Sequence, residues 1–217
     1  IMKKQVTVLG WTGHGNIGDE SYKLAFPLIF KDLDFTFTNV ISNDCECVFL
    51  GGGNIMHPFF LSQLEKKDIP KYAMSVDINE CPSMFKQVFT RNKCINSKNL
   101  ITVPDFAFSL QPNIENGKII IKRLFEESKS DLYNQVIIIV MNSYLYYGEG
   151  KLARDHVTFE KVCFDLSRII DGTNASFLLL PFGNGFPHND RLANSVLYSK
   201  CKFWKKNYVM FNQPHYQ

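Results

Sequence analysis

Apolar residues along this chain fall into two alternating patterns. Short runs such as VTVL (6–9), CVFL (47–50), YAMSV (72–76) and VIIIV (136–140) have the length and side-chain type of strands. Elsewhere apolar positions recur at helical spacing. The clearest set is Phe159, Val162, Cys163, Leu166, Ile169 and Ile170, with Gly172 where a C-terminal cap belongs. The pattern predicts strands at 6–9, 35–40, 47–50, 72–76, 87–89, 100–103, 136–140, 177–180 and 208–211. It predicts helices over 22–30, 58–67, 116–130, 159–170 and 192–197. Among the strands, 136–140 reads as the most completely buried. This alternation implies an α/β fold, a Rossmann-like parallel sheet with helices on both faces.

The organisation restarts near residue 132. An N-terminal Rossmann-like lobe is therefore expected over 1–131 and a second over 132–217. A doubly wound half normally carries about five or six strands, and the second stretch shows three. It reads as a lobe cut short.

Composition narrows the setting. The chain has 217 residues, 45% hydrophobic and 21% charged, and a net charge of +3. Those values are ordinary for a globular protein and give no basic footprint for nucleic acid. Lys202, Lys205 and Lys206 interleave with Phe203 and Trp204, which suits a solvated helix end. No apolar run is long enough to span a membrane, and no leader pattern opens the chain. The six cysteines lack paired metal-ligand spacing, so buried thiols, a cytoplasmic setting and no metal are expected. Cys45 and Cys47 are expected on one face of a strand.

Candidate chemistry concentrates in VTVLGWTGHGNIGDE (6–20), which reads as strand, glycine-dense turn and acidic helix start. Glycine costs backbone entropy, so Gly10, Gly13, Gly15 and Gly18 within nine residues favour a binding loop over a plain turn. A helix N-terminus aimed at such a loop offers N–H groups to an anionic or polyhydroxylated ligand. The dinucleotide spacing fits only from Gly13, several residues beyond the strand, and no acidic residue ends a clear second strand downstream. His14, Gly15, Asn16, Gly18 and Asp19 are the candidate contacts. Asn16 as a turn residue and Asp19 with Glu20 as complements of the helix dipole are the competing readings.

A second glycine turn, Gly51-Gly52-Gly53, ends the strand 47–50 and leads into Asn54 and His57. Strand carboxyl ends are where open α/β sheets bind ligands, so Gly52, Gly53, Asn54 and His57 are expected to line a cleft. Arg91 ends a strand, where it could take a carboxylate or phosphate or form a salt bridge with Asp105. His188 and Arg191 follow a glycine-rich loop and are weak catalytic candidates; helix capping by Asn189 or Asp190 explains the same loop with less. The tyrosines of YLYY (144–147) could stack on sugar rings or pack at a domain edge.

Four segments in order, GWTGHGNIGDES (10–21), VFLGGGNIMH (48–57), VFTRNK (88–93) and VPDFAFSL (103–110), together resemble the polysaccharide pyruvyl transferase family. The likeness covers about residues 5–110 and continues faintly through LLLPFGNGFPHNDR (178–191). It implies a GT-B-like pair of lobes with the acceptor in the first. It also implies transfer of pyruvate from phosphoenolpyruvate, as co-substrate, to a sugar or sugar nucleotide, forming a ketal without any cofactor. That chemistry needs an acid for the methylene carbon, cations for phosphate and carboxylate, and a base for the attacking hydroxyl. The family supplies much of this from an Arg ending the first strand of its second lobe and a later R-x-H. Here the strand VIIIVMNSYLYY (136–147) has no Arg, and the R-x-H would fall beyond residue 217. The alternative is a catalytically inactive glycan- or nucleotide-binding domain. An ordinary glycosyltransferase lobe is the weaker alternative, since the chain has no E-x₇-E pattern.

Overall fold

The computed structural model describes residues 3–78, 82–92, 98–141, 156–183, 189–202 and 207–210. They form two compact units, Ile1–Gln111 and Pro112–Gln217.

The first unit is built on six parallel strands: β1 (Lys4–Leu9), β2 (Leu33–Thr38), β3 (Val48–Gly53), β4 (Lys71–Val76), β5 (Gln87–Thr90) and β6 (Leu100–Thr102). Their order across the sheet is β2-β1-β3-β4-β5-β6. The chain steps from β1 outward to β2, then returns to the far side of β1 and proceeds the other way. This is the doubly wound order 2-1-3-4-5 lengthened by a strand, not the dinucleotide order 3-2-1-4-5-6. The reversal lies between β1 and β3.

Helix α1 (Ile17–Ile29) joins β1 to β2, and α2 (Pro58–Glu65) joins β3 to β4. Side chains alternate along a strand, which sends them to two cores. Val6, Val8 and Phe49 pack with Tyr22 and Phe26 of α1. Leu9, Val48 and Leu50 pack with Phe60 and Leu64 of α2. The helices therefore cover opposite faces, as expected. Phe26 is fully buried and ringed by Phe30, Phe35, Phe37, Phe49 and Phe106 at centroid separations of 5.8 to 6.2 Å.

Alternation breaks in β4. Tyr72 and Met74 face α1 and Ala73 faces α2, yet Val76 joins Ala73 instead of Met74. The extra residue is Ser75, buried at φ 58°, where the register with β5 shifts. Between the β3–β4 pairs Gly51–Met74 and Gly53–Val76 stands Gly52, at φ 72°. Two neighbouring strands thus enter the left-handed region at one level.

The second unit has three described strands, β7 (Val136–Ile139), β8 (Ser176–Leu179) and β9 (Tyr208–Met210), parallel in that order. Helices α4 (His156–Gly172) and α5 (Asp190–Lys200) supply Phe159, Cys163, Ile170, Ala193 and Leu197 to a core with Phe177 and Leu179. On the other face α3 (Ile114–Glu127) sets Phe125 against Leu178 and Val209. That packing places α3 in the second unit, so the division falls at 111/112 rather than near 132. The restart of strand–helix alternation near 132 marked β7 but not the helix ahead of it.

Strand β7 is not the most buried one. Ile138 and Val140 are 51% and 45% exposed, because β7 lies at an edge of the described sheet, whereas all of β8 is buried. Cys45 and Cys47 both precede β3 instead of sharing a face on it. Cys45, Cys47, Cys163 and Cys201 are free thiols; Cys81, Cys94 and the tyrosines of 144–147 lie outside the described residues. Among the described residues no helix is long and apolar enough to cross a membrane.

Candidate ligand site at the carboxyl end of the first sheet

Strands β1 and β3 are parallel neighbours, so the turns that follow them emerge side by side at the point where the sheet order reverses. Bare backbone allows this closeness. A Cβ on Gly10 would stand 3.2 Å from the Gly51 carbonyl, and one on Gly51 would stand 2.9 Å from Val8 Cγ1. A Cβ on Gly52 would overlap the Tyr22 ring outright. The loop itself turns at Gly13 and Gly15, with φ of 88° and 72°.

Asn16 caps α1, its Oδ1 accepting from Gly18 N at 2.9 Å and Asp19 N at 3.4 Å. The cap starts α1 five residues before the apolar pattern shows it, because caps and glycines carry no periodicity. Glu20 then folds back over the loop and accepts from Gly13 N at 2.5 Å. Burial alone would raise the Glu20 carboxyl. Hydrogen bonds from Lys23 and from the backbone of Gly13 and Gly15 outweigh that and hold it below its ordinary value. An internal carboxylate thus occupies the loop that might have cradled a phosphate. Beside it, burial and then the Glu20 charge push Asp19 up to about 6, with Arg91 pulling the other way.

A charged residue follows each of the next three strands, Asp77 after β4, Arg91 after β5 and Asp105 after β6, and these meet. Arg91, after β5, donates through Nη1 to Asp105 Oδ2 at 2.6 Å, through Nε to Asp77 Oδ1 at 3.2 Å, and through Nη2 to Asp77 Oδ2. Burial works against its charge, but the bonds to Asp77 and Asp105 dominate and raise its pKa further. Asp105 also accepts from Tyr22 Oη at 3.0 Å and from Ala107 N at 2.9 Å, capping the 3-10 turn Phe106–Ser109. Ser75 Oγ accepts from Phe106 N at 3.2 Å. Burial drives the Tyr22 phenol up to about 12, so it stays a neutral donor to Asp105.

Of the residues expected at a site, His14, Gly15, Asn16, Gly18 and Asp19 lie on the β1 turn and first turn of α1; Gly51, Gly52 and Gly53 are not the turn expected after strand 47–50 but the last three residues of β3, paired with β4, and only Asn54 and His57 lie beyond it. His57 is an exposed helix cap, its Nδ1 accepting from Phe59 N at 3.2 Å with Pro58 at the first helical position. Asn54 is exposed, and His14 Nε2 lies 3.4 Å from Asn39 Nδ2. Arg91 takes the salt-bridge alternative, with a second partner, Asp77, that the sequence reading did not name. Arg191 belongs to the other unit, in the first turn of α5, where Asn189 Oδ1 caps its N–H at 3.2 Å. His188 lies outside the described residues.

Tyr22, Ser75, Asp77 and the loop-filling role of Glu20 were missed. Tyr22 had a signal, since it sits three residues after Asp19 on the same helix face. Asp77 had one too, as the polar residue directly after a buried strand. Ser75 had none, because a bulge leaves no periodic mark.

Comparison with known proteins adds little to this geometry. No protein-family model matches the chain. A search of curated proteins gives no match. Among solved structures the chain is similar to an α1,3-fucosyltransferase at 11% identity, covering 98% of this chain and 69% of that one, with a TM-score of 0.38.

Proposed function

We propose that the carboxyl end of the first sheet binds a saccharide, and that the chain is a polysaccharide pyruvyl transferase-like protein acting in glycan modification. The observation that carries this is the β1 glycine turn lying beside the glycine end of β3 at the point of strand-order reversal, with Glu20, Asp77 and Asp105 nearby and Arg91 committed to two of these carboxylates. Hydroxyl groups donate well to carboxylates, whereas a phosphate there would meet Asp19, Glu20, Asp77 and Asp105. The site therefore suits an acceptor sugar more than phosphoenolpyruvate, which on this reading belongs to the second lobe.

On this reading Asp19, in the first turn of α1, takes the proton-transfer role for the acceptor. A carboxyl raised to about 6 is ionised at neutral pH yet more basic than an ordinary one. It would take the proton of the attacking hydroxyl as the sugar oxygen adds to the enolpyruvyl carbon. The methylene carbon takes a proton from an acid of the donor-binding lobe and becomes a methyl group; phosphate then leaves with the electrons of its C–O bond, and a second hydroxyl adds, losing its proton, to close the ketal.

The second reading, a binding domain without turnover, is favoured by the commitment of Arg91 to two aspartates. One experiment separates the readings. The gene product is incubated with phosphoenolpyruvate and a panel of saccharides while phosphate release and ketal signals are followed, and saccharide binding is titrated in parallel. Turnover supports the transferase, and binding without turnover supports the inactive domain. Absence of both rejects a saccharide site.

A further inference from the structure

Trp11 follows the first glycine of the β1 turn and remains 39% exposed; Phe59, in the first turn of α2, remains 43% exposed. Their rings are nearly parallel, 12° apart in plane, with centroids separated by 5.7 Å. Contact between parallel rings needs only roughly 3.5 to 4 Å, so most of this separation is sideways offset, about 4 Å. Each ring therefore leaves much of a face uncovered by the other. The pair is anchored from below. Trp11 meets buried Phe60 edge-on at 4.9 Å, and Phe59 meets the same ring edge-on at 5.0 Å. His14 stands edge-on to Trp11 at 5.6 Å and shares a polar contact with Asn39.

Resting on the saccharide reading above, we propose that Trp11 and Phe59 form a stacking platform for one pyranose ring of the ligand, with His14 and Asn39 at its rim. A pyranose has an apolar C–H face and a girdle of hydroxyls. An anchored pair of parallel, stepped rings bordered by an imidazole and an amide matches both parts, one ring face taking the C–H face and the neighbouring ring flanking the sugar. The platform lies on the same two turns that bring the glycines together, so a sugar stacked there is directed to the paired strand ends. Phosphoenolpyruvate has no such ring, which assigns the platform to the acceptor and makes it a determinant of acceptor choice.

The test uses the full chain carrying Trp204→Phe, which leaves Trp11 as the sole tryptophan. It is titrated with methyl glucoside, methyl galactoside and methyl mannoside, and separately with uridine and with phosphoenolpyruvate. Trp11 emission and calorimetric heat are both recorded. At least one pyranoside should change Trp11 emission in proportion to binding, and Trp11→Ala and Phe59→Ala should each weaken that pyranoside by roughly 3- to 10-fold. Trp11→Phe should recover part of the loss, and unchanged thermal melts of Phe59→Ala exclude simple unfolding. If a pyranoside binds by calorimetry with Trp11 emission and both alanine variants unchanged, the platform is overturned while the saccharide reading stands. If none binds, both fall. A response to uridine alone also overturns the platform.

Discussion

Replacing Gly52 with alanine tests the packing that closes the end of β3. Two effects act there. At φ 72° a side chain pays roughly 1–2 kcal/mol for the left-handed conformation. The new Cβ would also overlap the Tyr22 ring, and Tyr22 is buried and tied to Asp105. Displacing a packed ring adds about 1–3 kcal/mol, giving a total of about 2–5 kcal/mol. Gly53 is the internal control. Its φ of 76° is similar, but its Cβ would meet nothing closer than Arg91 Nη2 at 4.0 Å, so Gly53→Ala should cost only the roughly 1–2 kcal/mol of conformation. The assay is urea unfolding followed by Trp11 emission in the Trp204→Phe background, which reports the first unit separately from the second. Stabilities of Gly52→Ala and Gly53→Ala agreeing within about 0.5 kcal/mol would refute the claim that Tyr22 is the reason for glycine at position 52.

Arg91→Lys keeps the charge but loses the fork that spans Asp77 and Asp105; it should lower stability by about 1–2 kcal/mol at low salt, and equal stability in a urea titration would remove the clamp from the account. Asp19 holds its proton more tightly folded than unfolded, so its contribution is complete below about pH 4 and is lost as pH rises through about 6. Asp19→Asn should flatten that part of the stability–pH curve, and a carboxyl ¹³C titration of Asp19 with a midpoint below 4.5 would contradict the burial assigned to it. In the second unit Asn194 is fully buried, with neither side-chain polar atom hydrogen-bonded among the described residues. Asn194→Leu, similar in shape and apolar, should raise stability by about 1 kcal/mol or more, and a lower melting temperature would show that the amide has a partner.

Much of the first unit was legible in the chain. Parallel strands buried on both faces read as continuous apolar runs, and VFL (48–50) and YAM (72–74) do so. The glycine turn after β1 was legible as well, but Gly51 to Gly53, expected as a turn, continue β3, because glycines carry no apolar signal by which to extend a strand. What stayed hidden was tertiary or non-periodic. The Ser75 bulge changes which face Val76 serves without altering the composition of β4. Asp77 and Asp105 are 28 residues apart, and only the sheet order brings both to Arg91. The place of α3 could not be read either, because a single residue, Phe125, makes most of its buried contact with the second core.

The carboxylate of Glu20, folded onto the amides of Gly13 and Gly15, gives the loop a resident competitor. A tethered group acts at a local concentration on the order of millimolar or higher. A dissolved anion seeking the same amides must outcompete it and then lie against its negative charge. An uncharged alcohol faces neither obstacle, because it can donate to that oxygen while the loop stays closed. Under the proposed saccharide function, selection between charged metabolites and neutral glycans would then rest on the closed state of the turn.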